Sequence, residues 1–162
     1  MNRMQFAGLA LFSLAGLTAC ATTADRTRNQ PDQEGSYTPR QAVMLAADQP
    51  ENGVAGRFQM TVRNIGADAA NYYLNSEADY RDQRSLTLRI PRDRAAEIAR
   101  RLHVDGLDGL RDHAIEFEGM ARRTRIDFTG NGQPTGKYYY QTHATLFAIE
   151  SIKDLGPAPT SL

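Results

Sequence analysis

The sequence predicts a mostly β domain with some α-helix, preceded by one short helix. Three observations carry the prediction. Apolar residues recur with period two in three short stretches and again in two longer ones. One helical period, Ala95 to Leu102, falls between the third and fourth of these. Clusters of Gly, Asn, Asp and Pro separate the stretches, as turns do. The order is strand, strand, strand, helix, strand, strand.

The chain begins with an export-type leader. Arg3 supplies a positive charge, and Phe6 to Leu17 is a mostly apolar run, within the ~7–15 residues of a signal segment and short of the ~20 that span a bilayer. Leu17-Thr18-Ala19-Cys20 ends it on the only cysteine. These four residues resemble the lipobox of bacterial lipoproteins, which signal peptidase II cuts before the cysteine. The resemblance implies that residues 1–19 are a signal peptide, that Cys20 is lipidated, and that the mature chain carries three acyl chains, palmitate-like in character. More than one such chain gives lasting membrane anchorage. Ala21, rather than an aspartate, follows the cysteine, which in that family implies the outer membrane, with the protein facing the periplasm. No second cysteine exists for a disulfide, so stability has to come from an apolar core.

Residues 20–37 are polar and aperiodic and read as a flexible tether. The domain is expected over residues 38–155. Thr38-Pro39-Arg40-Gln41 reads as a helix start, with a capping box and proline at the first turn. Ala42, Val43, Leu45 and Ala46 form its apolar stripe, and Pro50 ends it. Phe58, Met60 and Val62 alternate with polar residues as a first strand, and residues 64–68 read as a turn. Tyr72, Leu74 and Ser76 give a second strand, Leu86, Leu88 and Ile90 a third. Asp93 reads as the cap of the central helix, and Leu107 and Leu110 as plugs for the core end. A fourth strand starts at Ile115, with Gly119 read as a bulge. Residues 130–136 read as a dense turn, a last strand runs from Tyr138 to Ile149, and residues 156–162 read as a loose tail.

From about Gly53 to Leu155, this order of elements resembles the OB-fold, on Gly119 and on the stretches Tyr72-Tyr73-Leu74-Asn75 and Leu86-Thr87-Leu88. The resemblance implies a small five-stranded barrel, β-β-β-α-β-β, with ligands taken across its second and third strands; the competing architecture is an α+β sheet open at one edge.

Charge and motifs narrow the function classes. Nineteen basic residues balance nineteen acidic ones, and loss of the leader removes Arg3, so no net field draws in nucleic acid. His103, His113 and His143 lack metal-ligand spacing, and no nucleotide, nucleophile or cofactor motif occurs. Glu77, Asp79 and Asp82 could hold calcium, but the interleaved Arg81 and Arg84 favour ion pairing at a turn. If Leu74 and Leu88 face the core, Gln59, Thr61, Arg63, Tyr73, Asn75, Thr87 and Arg89 face outward. Arg63, Tyr73, Asn75 and Arg89 are the candidate contacts for a small polar or anionic ligand. The expected function is a lipid-anchored, periplasm-facing binding module of the envelope, for such a ligand or for an envelope protein. The alternatives are a nuclease-like phosphodiester hydrolase and a structural accessory subunit of an envelope complex.

Overall fold

The computed structural model describes residues 35–159; the leader, Cys20, most of the tether and residues 160–162 lie outside the described residues. Thr38 caps helix α1 (Pro39–Asp48), and the capping box forms: the Thr38 hydroxyl accepts from the Gln41 amide while the Gln41 side chain accepts from the Thr38 amide. Then come β1 (Val54–Thr61), β2 (Asn64–Ala67), β3 (Asn71–Asn75), β4 (Leu86–Pro91), α2 (Arg92–Arg101), β5 (His113–Gly130), β6 (Gln133–Leu146) and β7 (Lys153–Pro157). Short 3₁₀ turns occupy Leu107–Leu110 and Ile149–Ser151.

The seven strands form one sheet in the order β1-β5-β6-β4-β3-β2, with β7 added to β5. All ladders are antiparallel except the β4–β6 pair, where Leu86 to Arg89 lie beside Thr142 to Thr145. The two ends of the path, β1 and β2, are neighbours in the chain. The Val62 amide donates to His113 O (2.9 Å) and the Arg63 amide to Asn75 O (2.8 Å), so the chain changes partner in one step. No ladder joins β1 to β2, and the sheet curls without closing into a barrel. The architecture is therefore mixed α/β, a seven-stranded sheet with two helices, rather than a closed five-stranded barrel. The two extra strands arise from β2, which the sequence suggested was a turn, and from β7.

One core fills the concave side. Phe58 and Phe117 stack at 5.4 Å, and Leu74, Leu86, Leu88, Ile90, Ile98, Leu110 and Ile115 are fully buried around them. Each such side chain contributes roughly 1.5–3 kcal/mol relative to exposure. Among the described residues one core cluster runs from Ala42 to Ile152 and ties both helices to the sheet.

Other expectations change. Gly119 makes no bulge; it pairs with Gly56 on one side and Leu146 on the other, and a Cβ there would strike the Thr145 carbonyl. The register shifts along β5 come instead between His113 and Ile115, against β7, and between Asp127 and Thr129, against β6. The turn expected over residues 130–136 contracts to Asn131-Gly132, both at positive φ (50° and 77°), as a two-residue hairpin requires. Pro134, Thr135 and Gly136 join β6, and the hairpin becomes a long arm. Asp93 does not cap α2, which starts at Arg92 after Pro91 without a side-chain cap; Asp93 stands in its first turn, where a negative charge suits the helix dipole. Thr87 and Asn75, expected to face solvent, are only 2% and 1% exposed. They do lie opposite Leu88 and Leu74 on the strands, but side chains from β6 and the segment before β4 cover them.

Candidate binding cleft

The face of β3, β4 and β6 turned away from the core carries a cleft of about 460 Å³. The ladder builds it: Thr87 lies beside His143 across β4–β6, Tyr73 opposes Gly66 across β3–β2, and Ile126 opposes Tyr139 across β5–β6. Tyr80 comes from the segment before β4 and Asp68 from the turn after β2. Three tyrosines therefore converge on a floor of Asn75, Thr87, Gln141 and His143.

The floor is wired. The Thr87 hydroxyl donates to Asn75 Oδ1 (2.8 Å), while Asn75 Nδ2 donates to the Tyr73 and Asn64 carbonyls. Asn75 is thus a buried cross-link. Gln141 Nε2 donates to the Tyr80 carbonyl (2.7 Å) and to the Tyr139 hydroxyl (3.1 Å). That orientation turns Gln141 Oε1 toward His143 Nε2, 2.7 Å away, so Nε2 carries the proton. Burial, reinforced by the Arg89 charge, lowers the His143 pKa to about 4. The ring is neutral at physiological pH, with Nδ1 left as an acceptor.

At the other rim the Tyr73 hydroxyl donates to Asp68 Oδ2 (2.7 Å). This bond, with the Ala70 and Asn71 amides, holds the Asp68 carboxyl below its ordinary pKa. Burial and the same bond raise Tyr73. Burial, then Tyr80, raises Tyr139. The phenols are neutral hydrogen-bonding rings, and Asp68 is the one charged group lining the cleft.

Of the four residues singled out from the sequence, Tyr73 and Asn75 meet here. Arg89 opposes Tyr73 across β3–β4 but opens onto a separate hollow with Arg94, Glu97 and Phe147. Arg63 lies elsewhere and pairs with Asp112 at 3.3 Å. Tyr80, Tyr139 and Gln141 were not singled out as contacts; Gln141 and His143 alternate along β6, and the β4–β6 register is what brings their face to Tyr73.

The acidic cluster resolves into ion pairs. Asp79 takes Arg81 at 3.1 Å and Asp82 takes Arg84 at 2.7 Å, and the Arg84 hydrogen bond holds the Asp82 pKa at about 2. Glu116 stays ionised despite its burial through Lys153, Ser36 and Arg57. Among the described residues no three His, Cys, Asp or Glu side chains group as metal ligands.

No protein-family model matches the chain, and no curated protein matches it in sequence. Among solved structures it is distantly similar to an OB-fold scaffold, an OBody bound to hen egg-white lysozyme. The identity is 12%, the TM-score 0.41, and the match covers 67% of this chain and 89% of that one.

Proposed function

We propose that the protein is a binding module of the bacterial envelope, exported, anchored through lipid on Cys20 to the outer membrane and facing the periplasm. The cleft over β3, β4 and β6 is its ligand site. The observation that carries this reading is the convergence of Tyr73, Tyr80 and Tyr139 on a hydrogen-bonded floor of Gln141 and His143. Sites of this kind combine apolar walls with a few oriented polar groups. The sequence alone suggested a polar or anionic ligand. The cleft favours the polar, uncharged one, because its only ionised group is the Asp68 carboxylate and Arg63 and Arg89 lie outside it.

Two measurements test the reading. Mass spectrometry of the membrane-extracted protein should find an acylated N-terminal Cys20; an unmodified cysteine would remove the anchor. Low-molecular-weight material from the cell envelope should raise the Tm of the wild type and not of Tyr139→Ala. Equal shifts in both proteins would mean that the cleft is not the site.

A further inference from the structure

We propose that the cleft is one end of a longer strip, and that its ligand is a linear, uncharged glycan rather than a small molecule. The inference rests on the cleft reading above. Tyr139 belongs both to the cleft wall and to the arm, where Phe128 packs on it at 5.1 Å and Ile126 lies beside it. Phe128 is 46% exposed, a large apolar ring left open next to the cleft mouth. At the far end, Tyr73 is 6.0 Å from His143. His143 and Tyr139 are about 14 Å apart along β6 at ~3.4 Å per residue, so the aromatic strip from Tyr73 through Tyr139 to Phe128 is on the order of 20 Å long.

Linked sugar rings fit such a strip. They present apolar C–H faces to aromatic rings and hydroxyl rims to amides, and here Gln141, His143 Nδ1 and the tyrosine hydroxyls lie between the rings. A nucleic acid would need free cations for its phosphates; the one charged group lining the cleft is the Asp68 carboxylate, and Arg81, beside the Tyr80 ring, is paired with Asp79. Two of the arm's arginines are on its other face, Arg123 over Tyr140 at 3.8 Å and Arg125 over Tyr138 at 4.2 Å, and Arg122, which opposes His143, is held by the Glu51 carbonyl at 3.1 Å. A peptide bound by strand addition would need a sheet edge, and this strip is a sheet face. The tether joins the body where Ser36 bonds Glu116, near the start of β5, while the arm tip is at its end, Gly130. A domain anchored at Cys20 therefore carries the strip at the end away from its attachment.

The test is calorimetric titration of the unlipidated chain from Ala21 onward with chitin and cellulose oligomers of two, four and six units. Affinity should rise at least about tenfold from dimer to tetramer, a difference of about 1.4 kcal/mol. Phe128→Ala should return the tetramer to dimer-like affinity and weaken dimer binding far less than Tyr139→Ala does. Equal affinity at every length would overturn the proposal and leave a small-molecule cleft. Binding of neither series, or tighter binding of a single-stranded oligonucleotide or an unstructured peptide, would overturn it as well. The envelope-extract shift is measured separately, so loss of that shift in the wild type identifies failure of the cleft reading itself. Absence of lipid on Cys20 would remove the anchor and not the glycan.

Discussion

The two halves of strand β5 are built on opposite plans. From His113 to Ala121 it runs through the middle of the sheet, with Ile115, Phe117 and Ala121 fully buried. From Arg122 to Gly130 it is half of an arm, and neither face of the arm meets a core. Its shape is held by the β6 ladder, the Asn131-Gly132 turn, and side-chain contacts such as Arg123 over Tyr140 and Phe128 tilted against Tyr139. The lower half is fixed by burial, which tolerates little change. The arm is fixed by the backbone, which leaves its side chains available for contact.

The largest expected effect tests that contrast directly. Phe117→Ala should cost about 3–5 kcal/mol in urea unfolding, whereas Phe128→Ala should cost well under 1 kcal/mol. Comparable losses would mean that the arm is part of the core. Next comes pH, through His143. The unfolded ring takes a proton as pH falls through its ordinary 6.5, but the folded ring does so only near 4. In that window the unfolded state binds more protons, so stability falls on acidification, by up to roughly 3 kcal/mol. The charges facing the ring are Arg89 from β4 and Arg122, its partner across β5–β6, and neither supplies an opposing anion. His143→Asn should flatten the difference between the two ends of the window relative to wild type, and an unchanged profile would mean that the ring is already solvated.

A smaller effect is expected at the floor of the cleft. Thr87→Val keeps the volume but leaves Asn75 Oδ1 without its donor, which should cost about 1–3 kcal/mol. The smallest belongs to the arm: Arg123→Ala removes one stacked cation and should cost no more than about 1 kcal/mol in the same assay.

What the sequence made legible was what local periodicity encodes. Leu86, Leu88 and Ile90, the Ala42 stripe, the Thr38 capping box, and Leu107 and Leu110 stand where alternation and turn chemistry put them. What it hid depends on distant partners. Thr87 and Asn75 alternate with leucines as exposed residues do, and β6 lying parallel to β4, with the segment before β4, covers them. The arm was masked because Pro134 and Gly136 look like loop residues, yet Asn131-Gly132 turns the chain alone, Pro134 pairs with Thr129, and pairing resumes at Tyr138 past the register shift that takes in Gly136. Tyr73 was found as an outward ring. Its companions Tyr80, Tyr139 and Gln141 are 7, 66 and 68 positions further along and meet it only through the curl of the sheet.

The segment just before α1 has a mechanical consequence. Tyr37 bridges Phe58 in parallel, its amide donating to Arg57 O (2.7 Å) and its carbonyl accepting from the Gln59 amide (3.0 Å). Ser36 is buried beside it and bonds Glu116. Tension applied through the N-terminus therefore loads these bonds across β1 before it reaches α1, and loads them together in shear rather than one after another as in unzipping. Drag on the body would be resisted first at Ser36 and Tyr37, with the cleft and its arm kept out of the line of force.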